Sequence, residues 1–147
     1  MQVKVAWIGK TKSPAIQSLT TEYLKRLNYF LEVEGLPLNG EAQLLKLRER
    51  SGTRAAHSLT VLDQRGKQLG SEDIARFIEN HQNSSPQPLL FAIGAANGFS
   101  QEVRDSAANV ISLGKITMAH EIARIVLLEQ LYRAFSILRG HPYHLGH

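Results

Sequence analysis

The chain has 147 residues, 43% of them hydrophobic, which suffices for one buried core and predicts a single domain over 1–147. It contains no cysteine, which excludes disulfides and cysteine-based zinc or thiol chemistry. The formal net charge of +4 comes from scattered basic residues, so charge alone supports nucleic-acid binding only weakly. Because no signal peptide or membrane-spanning run is evident, we expect a cytoplasmic protein without a membrane partner.

Strand and helix signals alternate along the first half of the chain. Alternating apolar residues predict a strand at 2–8, and Ser13-Pro14 predicts the N-cap and first position of a helix. Further patterns predict a strand at 30–36, a charged helix at 41–50, and a strand at 58–63 with a turn at 64–66.

The alternation continues in the second half. Ser71 is predicted to cap a helix, and Ser100 is predicted to cap another at 101–109. The remaining predicted elements are a loop at 83–88, strands at 89–93 and 110–113, a loop at 94–98, and a long final helix at 118–139. Apolar strands that alternate with helices predict an α/β fold whose mostly parallel sheet is covered by helices on both faces.

A glycine-containing loop follows the most apolar strand. Gly94 and Gly98 would let the backbone approach a nucleotide or adenosyl ligand closely, with a helix N-terminus beyond them. A plain strand–turn–helix connection explains the same glycines equally well. The dinucleotide fingerprint and the phosphate-binding lysine motif are both missing, which disfavours dinucleotide binding and phosphoryl transfer.

Polar residues are concentrated on the final helix and after it. His120 is a candidate general base, phosphate contact or cap, whereas Glu129 and Arg133 have the spacing of an ordinary surface ion pair. Tyr143 and His144 offer a stacking face and proton transfer, although a terminal segment can also be unstructured. We expect no metal site, since no carboxylate lies near the terminal histidines.

Several blocks together resemble the family of ribosomal RNA large subunit methyltransferase H, the pseudouridine N3-methyltransferases of the SPOUT superfamily. The resemblance covers essentially the whole chain, and its C-terminal blocks are the specific ones. The blocks, in order, are 21–26, 61–63, 91–94 with Gly98, 112–117, His120, 129–134 and 142–144.

This resemblance implies a fold, a cofactor and a partner. The fold would be an α/β trefoil knot with the C-terminal helix threaded through a loop, and the protein would act as a homodimer. It would use S-adenosylmethionine and modify a pseudouridine of large-subunit rRNA on the ribosome, with no DNA partner. The family's cofactor contacts fall on these residues: Leu62, Gly94, Leu113, Gly114, Lys115, Ile116, Thr117 and Met118.

The implied chemistry requires the N3 imide of pseudouridine to lose its proton before it attacks a sulfonium methyl group. His120 and His144 are candidates for the base, and Arg133 for stabilising the imidate. Arg124 and Tyr143 are expected to contact RNA. In the family, the tail of one subunit is expected to complete the site of the other.

Two departures from the family pattern leave alternatives open. Ala95 stands where the family usually has a second glycine, which is tolerable if its φ is negative. Leu145 follows Tyr-His where the family has a basic residue, and His147 is the only nearby substitute. A dimeric RNA-binding protein without methyl transfer, or a SPOUT methyltransferase that acts on tRNA, are therefore the alternatives.

Overall fold

A computed structural model describes residues 1–145 and shows five parallel strands in the order β2-β1-β4-β3-β5. The elements in chain order are β1 (Gln2–Ile8), α1 (Pro14–Leu27), β2 (Glu32–Leu38), α2 (Glu41–Leu47), β3 (Ser58–Gln68), α3 (Ser71–Ser84), β4 (Leu89–Ile93), α4 (Gln101–Ser106), β5 (Asn109–Ser112) and α5 (His120–Leu138).

Helices cover both faces of the sheet, as the alternation predicts. On one face, α1, α3 and α5 pack Leu27, Ile78 and Leu131 against the sheet. On the other face, α2 and α4 contribute Leu44 and Val103. Successive side chains of a strand point to opposite faces, so β4, which lies between β1 and β3, is buried throughout. The predicted α/β class and parallel sheet are therefore confirmed.

Most element boundaries follow from local capping and chain geometry. The Ser13 hydroxyl accepts a hydrogen bond from the Ile16 N–H at 3.4 Å, and Pro14 fills the first position of α1. At α3 the predicted cap is wrong by one residue: Gly70 is the N-cap, and its N–H donates to the Asp73 carboxylate at 2.8 Å. Ser71 instead forms the first helical residue.

Other predicted boundaries also need correction, including those of β5, which lies one residue earlier than the predicted 110–113. The second strand lies two residues later than the predicted 30–36, because the backbone still turns after α1. The helices predicted at 41–50 and 101–109 both end three residues early, the second because β5 begins at Asn109. The final helix begins two residues later than predicted.

The largest difference concerns β3, which was predicted to end at 63 and instead continues to Gln68. Leu62 and Lys67 both pair with Ile111 of β5, so the four residues between them bulge out of the ladder. We call this segment the 63–66 excursion. Gly66 is needed there, since a Cβ atom would lie 2.6 Å from the Val110 carbonyl. The predicted turn at 64–66 thus exists as a bulge inside a longer strand.

Candidate functional site

A cavity of about 450 Å³ opens at the carboxyl ends of three neighbouring strands. Its walls come from the 63–66 excursion after Leu62 of β3, the 94–98 loop after β4, and the 112–118 segment after β5, with the start of α5. Ligands of open α/β sheets bind at this edge, and the volume is within the range of small-molecule sites.

The structure gathers almost all of the predicted cofactor residues around this cavity. Leu62 and Gly94 lie on two of its walls, and Lys115 is the one predicted residue that does not line it. The third wall consists of the other predicted residues, namely Leu113, Gly114, Ile116, Thr117 and Met118. Residues distant in sequence are therefore brought together by the parallel strand ends.

In the 94–98 loop, the backbone at Gly94 lies close to Gly98 and Phe99. A Cβ atom on Gly94 would lie 3.1 Å from the carbonyl carbon of Gly98 and 3.3 Å from the Phe99 ring. Gly98 has a φ of +77°, which favours glycine. Ala95 does not have positive φ, so the alanine that replaces the family's second glycine is accommodated without strain.

The 112–118 segment is held by hydrogen bonds that sequence reasoning missed. The buried Ser112 hydroxyl accepts from the Gly114 N–H at 3.1 Å and donates to the Gly114 carbonyl at 2.9 Å. From the opposite wall, the Gln64 amide donates to the Thr117 hydroxyl at 3.0 Å. Gly114 itself has a φ of +135°. The polar sequence Asp63-Gln64 and Ser112 at a strand end were the available signals.

His120 lies at the first position of α5 and lines the cavity. Its neighbour Glu121 fastens this end of the helix, because its carboxylate accepts from the N–H groups of Lys12 at 3.2 Å and Ser13 at 3.3 Å. Desolvation tends to raise the pKa of Glu121, but these N–H donors together with the nearby Arg124 and His120 lower the pKa below its usual range. The carboxylate thus joins the starts of α1 and α5.

Arg124 requires a correction, because it was predicted to contact RNA and is only 1% exposed. Its guanidinium donates to the hydroxyls of Thr11 at 2.8 Å and Thr20 at 3.3 Å and lies 4.1 Å over the Trp7 ring. Burial lowers its pKa, which Glu121 partly offsets. The sequence held the signal, since Arg124 shares the helical spacing of the buried leucines at 127, 128 and 131.

The far end of α5 carries a second group of polar residues, which we call the tail cluster: Glu129, Arg133, Tyr143 and His144. Arg133 donates to Glu129 at 2.8 Å, lies 3.2 Å from Nδ1 of His144, and stacks 5.0 Å from the Tyr143 ring. The side chains of Arg133 and Glu129 are 15% and 20% exposed, so this is more than a solvated surface pair. Burial raises the pKa of Tyr143, and the Glu129 charge adds to this.

The tail is therefore packed onto α5 as far as His144, whose Nε2 also lies 3.8 Å from Glu72 on α3. Tyr143 meets the Tyr132 ring edge-on at 4.7 Å. Leu145, in place of the family's basic residue, is 86% exposed. The suggestion that His147 replaces that residue lies outside the described residues.

The predicted catalytic residues do not all meet within one protomer. His120 and Arg133 are thirteen residues apart on α5, which separates them by about 20 Å along the helix axis. His120 belongs to the cavity, whereas Arg133 and His144 belong to the tail cluster. A substrate group held at the cavity is thus out of reach of the same protomer's tail cluster.

Residues 1–145 contain neither a candidate membrane span nor a candidate metal-binding cluster. No helix there has the length and apolar character needed to cross a membrane. No three or more histidine, cysteine, aspartate or glutamate residues in that range are grouped so that they could hold a metal ion.

Sequence comparisons place the chain beside one group of proteins. A family model described as predicted SPOUT methyltransferase matches residues 1–144. A protein named ribosomal RNA large subunit methyltransferase H from Koribacter versatilis is 54% identical, with both chains covered completely. Proteins of the same name from Trichlorobacter lovleyi and Geotalea daltonii are 40% and 38% identical, each over 98% of this chain and 99% of the relative.

Solved structures share the fold at low sequence identity. A probable methyltransferase from Bordetella pertussis matches with a TM-score of 0.59 at 8% identity, over 91% of this chain and 93% of its own. The SpoU methyltransferase AviRb from Streptomyces viridochromogenes, solved with AdoMet, matches with a TM-score of 0.52 at 15% identity, over 89% of this chain and 57% of its own.

Proposed function

Since the chain belongs to the ribosomal RNA large subunit methyltransferase H family of SPOUT methyltransferases, we propose that it methylates N3 of a pseudouridine in large-subunit rRNA. S-adenosylmethionine is the proposed methyl donor and the ribosome the proposed partner, which implies a cytoplasmic location. The observation that carries this proposal is the cavity, which joins the family's cofactor positions at the ends of three parallel strands.

The cavity residues fit an adenosyl cofactor. The absence of a Cβ atom at Gly94 lets the 94–98 loop close against Gly98 and Phe99, which shapes the cavity wall that a flat ring would meet. Leu62, Leu113 and Met118 supply apolar contact around it. When bound, the cofactor supplies a methyl group already activated by a sulfonium, so the protein has to bind and orient the two reactants.

His120 is the residue we assign to the proton on N3. It lines the cavity, and the Glu121 contacts fix the first turn of α5 on which it stands. His120 would accept the N3 proton, which would leave the N3 lone pair free to take the methyl group that the bound cofactor would supply. Alignment of these groups supplies much of the acceleration, up to roughly 7–11 kcal/mol.

The tail cluster is assigned to the RNA side of the reaction. Arg133 would stabilise the negative charge that develops on the imide oxygens, with His144 held against it. Tyr143, whose ring stacks with Arg133, is assigned to contact the RNA beside the target base. Because the cluster lies about 20 Å from His120 along α5, we propose a homodimer in which the tail cluster of one copy faces the cavity of the other. The trefoil knot remains a prediction from the family.

A methyl-transfer assay with labelled S-adenosylmethionine tests this function. The acceptors are ribosomes that carry the pseudouridine, ribosomes that contain uridine in its place, and total tRNA. We expect label only in large-subunit rRNA of the first sample. Equal labelling of both ribosomes contradicts the pseudouridine substrate, and preferential labelling of tRNA supports the tRNA methyltransferase instead.

A second candidate is a dimeric RNA-binding protein that does not transfer methyl groups. It is favoured by one observation, the exposed Leu145 where the family has a basic residue. Calorimetry with S-adenosylmethionine separates the two functions. Cofactor binding accompanied by turnover excludes the second candidate, whereas ribosome binding with no cofactor binding supports it.

A further inference from the structure

The 63–66 excursion is held by one carboxylate that accepts three hydrogen bonds from a single residue. Asp63 Oδ1 accepts from the Arg65 backbone N–H at 2.9 Å and from Nε at 2.8 Å, and Oδ2 accepts from Nη2 at 2.9 Å. A two-pronged contact of this kind fixes the plane of the guanidinium. The hydrogen bonds from Arg65 also hold the pKa of Asp63 below its usual range, so the pair stays ionised at neutral pH.

This arrangement presents a cation outward at the mouth of the cavity. The Asp63 side chain is 6% exposed and the Arg65 side chain is 62% exposed, so the carboxylate lies behind and the guanidinium in front. Arg65 Nη1 has no hydrogen-bond partner among residues 1–145. Two of the five N–H donors of the Arg65 guanidinium hold its orientation, and those on Nη1 remain for a ligand.

The surroundings favour an anion that arrives from solvent. Arg65 lines the cavity together with Gln64, which bridges to Thr117 on the opposite wall. Lys67 follows on the same strand and is exposed, and Arg104 lies close enough to contribute to the lowered pKa of Asp63. A cofactor held against Gly94 would be enclosed by the walls, whereas an exposed guanidinium faces the incoming polyanion.

We propose that Arg65 binds a phosphate of the substrate RNA next to the target nucleotide and that Asp63 is the residue that positions it. This rests on the proposed function and extends it to a cavity-lining residue that is neither one of the predicted cofactor contacts nor part of the tail cluster. The contact sets the register of the RNA over the cavity, since phosphate contacts fix orientation and carry no sequence information of their own.

The test measures binding of purified large ribosomal subunits to Arg65→Ala, Arg65→Lys and Asp63→Asn as a function of salt. Arg50→Ala is the matched control: Arg50 is exposed and precedes the start of β3, whereas the cavity lies at its end. We expect Arg65→Ala to weaken binding about tenfold and to reduce the log–log salt slope by a little under one. Arg65→Lys keeps the charge and should lose less, and Asp63→Asn should weaken binding although it removes a negative charge.

Two results overturn the inference. One is an Arg65→Ala variant whose affinity for ribosomal subunits, and the salt dependence of that affinity, match those of Arg50→Ala. The other is a loss confined to S-adenosylmethionine affinity by calorimetry, which would assign Arg65 to the cofactor carboxylate. The assay measures binding and not methyl transfer. A wild-type protein that binds ribosomal subunits but does not methylate them therefore counts against the proposed function, while the effect of Arg65 on binding can still be measured. Circular dichroism checks the fold, and Arg65→Lys provides the comparison if Arg65→Ala is misfolded.

Discussion

The two ends of α5 carry functional residues of different kinds. At its first turn, His120 lines a cavity whose walls all come from the same protomer. At its other end lie Arg133 and His144 of the tail cluster, neither of which lines that cavity. The helix between them keeps the two sites about 20 Å apart.

The two ends of α5 differ in whether a single chain completes the site to which they belong. The cavity needs only parallel strand ends and the loops that follow them, so folding alone completes it. The tail cluster is also formed by folding, but in the proposed homodimer its chemistry is used at the cavity of the second copy. The first site should therefore respond to changes in local backbone space, and the second to changes that affect assembly and RNA.

The largest expected effect is at the cavity end. Gly94→Val places a branched side chain where even a Cβ atom would lie 3.1 Å from the Gly98 carbonyl carbon. We expect calorimetry to show S-adenosylmethionine affinity reduced by about 100-fold, with the fold retained. Gly40→Val is the control, since a Cβ atom there meets nothing within 4 Å. Unchanged cofactor affinity in Gly94→Val contradicts the placement of the site.

The next effect concerns the tail cluster. Arg133→Ala removes the guanidinium that contacts both Glu129 and His144. We expect turnover on ribosomes to fall by roughly 100-fold while cofactor affinity stays unchanged, because the lost group acts on charge that develops at the target base. If cofactor affinity falls together with turnover, the two ends of α5 are not separate sites.

Arg124 lies between the two ends and should affect stability alone. Arg124→Ala removes packing against Trp7 and leaves the Thr11 and Thr20 hydroxyls without their donor. Urea denaturation should show a loss of about 2–4 kcal/mol in unfolding free energy. The dependence of ribosome binding on salt concentration should keep the wild-type slope. A reduced slope would show that Arg124 contacts RNA, which contradicts its burial.

The smallest effect is a pH dependence at the cavity end. The folded pKa of Glu121 lies below its unfolded value, so its contribution to stability is present above the unfolded pKa and is lost as pH falls through the folded one. Glu121→Gln should be less stable than wild type at pH 7, and the difference should shrink below about pH 4. Glu49→Gln changes an exposed glutamate elsewhere and should show no such difference. If stability depends on pH in the same way for both variants, the proposed role of Glu121 in joining α1 and α5 is wrong.

Sequence reasoning succeeded where local pattern decides the structure. β1 and β4 have the predicted bounds because their apolar runs end at glycine or polar residues. The cavity residues were found through the family blocks, and their position at strand ends agrees with the parallel order. The strand bounds depend on periodicity and on residues adjacent in the chain, whereas the cavity residues are implied by the family resemblance.

It failed where partners are distant in sequence. The 63–66 excursion depends on β5, more than forty residues away, and on the absence of a Cβ atom at Gly66. The charge of Arg124 suggests a contact with RNA, but its helical spacing places it with the buried leucines. The separation of His120 from Arg133 is a different case, because it follows from the rise per residue of a single helix.

Mixed dimers test the division of α5 most directly. His120→Ala damages the cavity and spares the tail cluster, whereas Arg133→Ala does the reverse. Each variant alone should be nearly inactive on ribosomes carrying the pseudouridine. After co-refolding in equal amounts, a mixed dimer has one intact cavity facing one intact tail cluster, and activity should return to about a quarter of wild type. A mixture no more active than the separate variants would contradict a site shared between two copies.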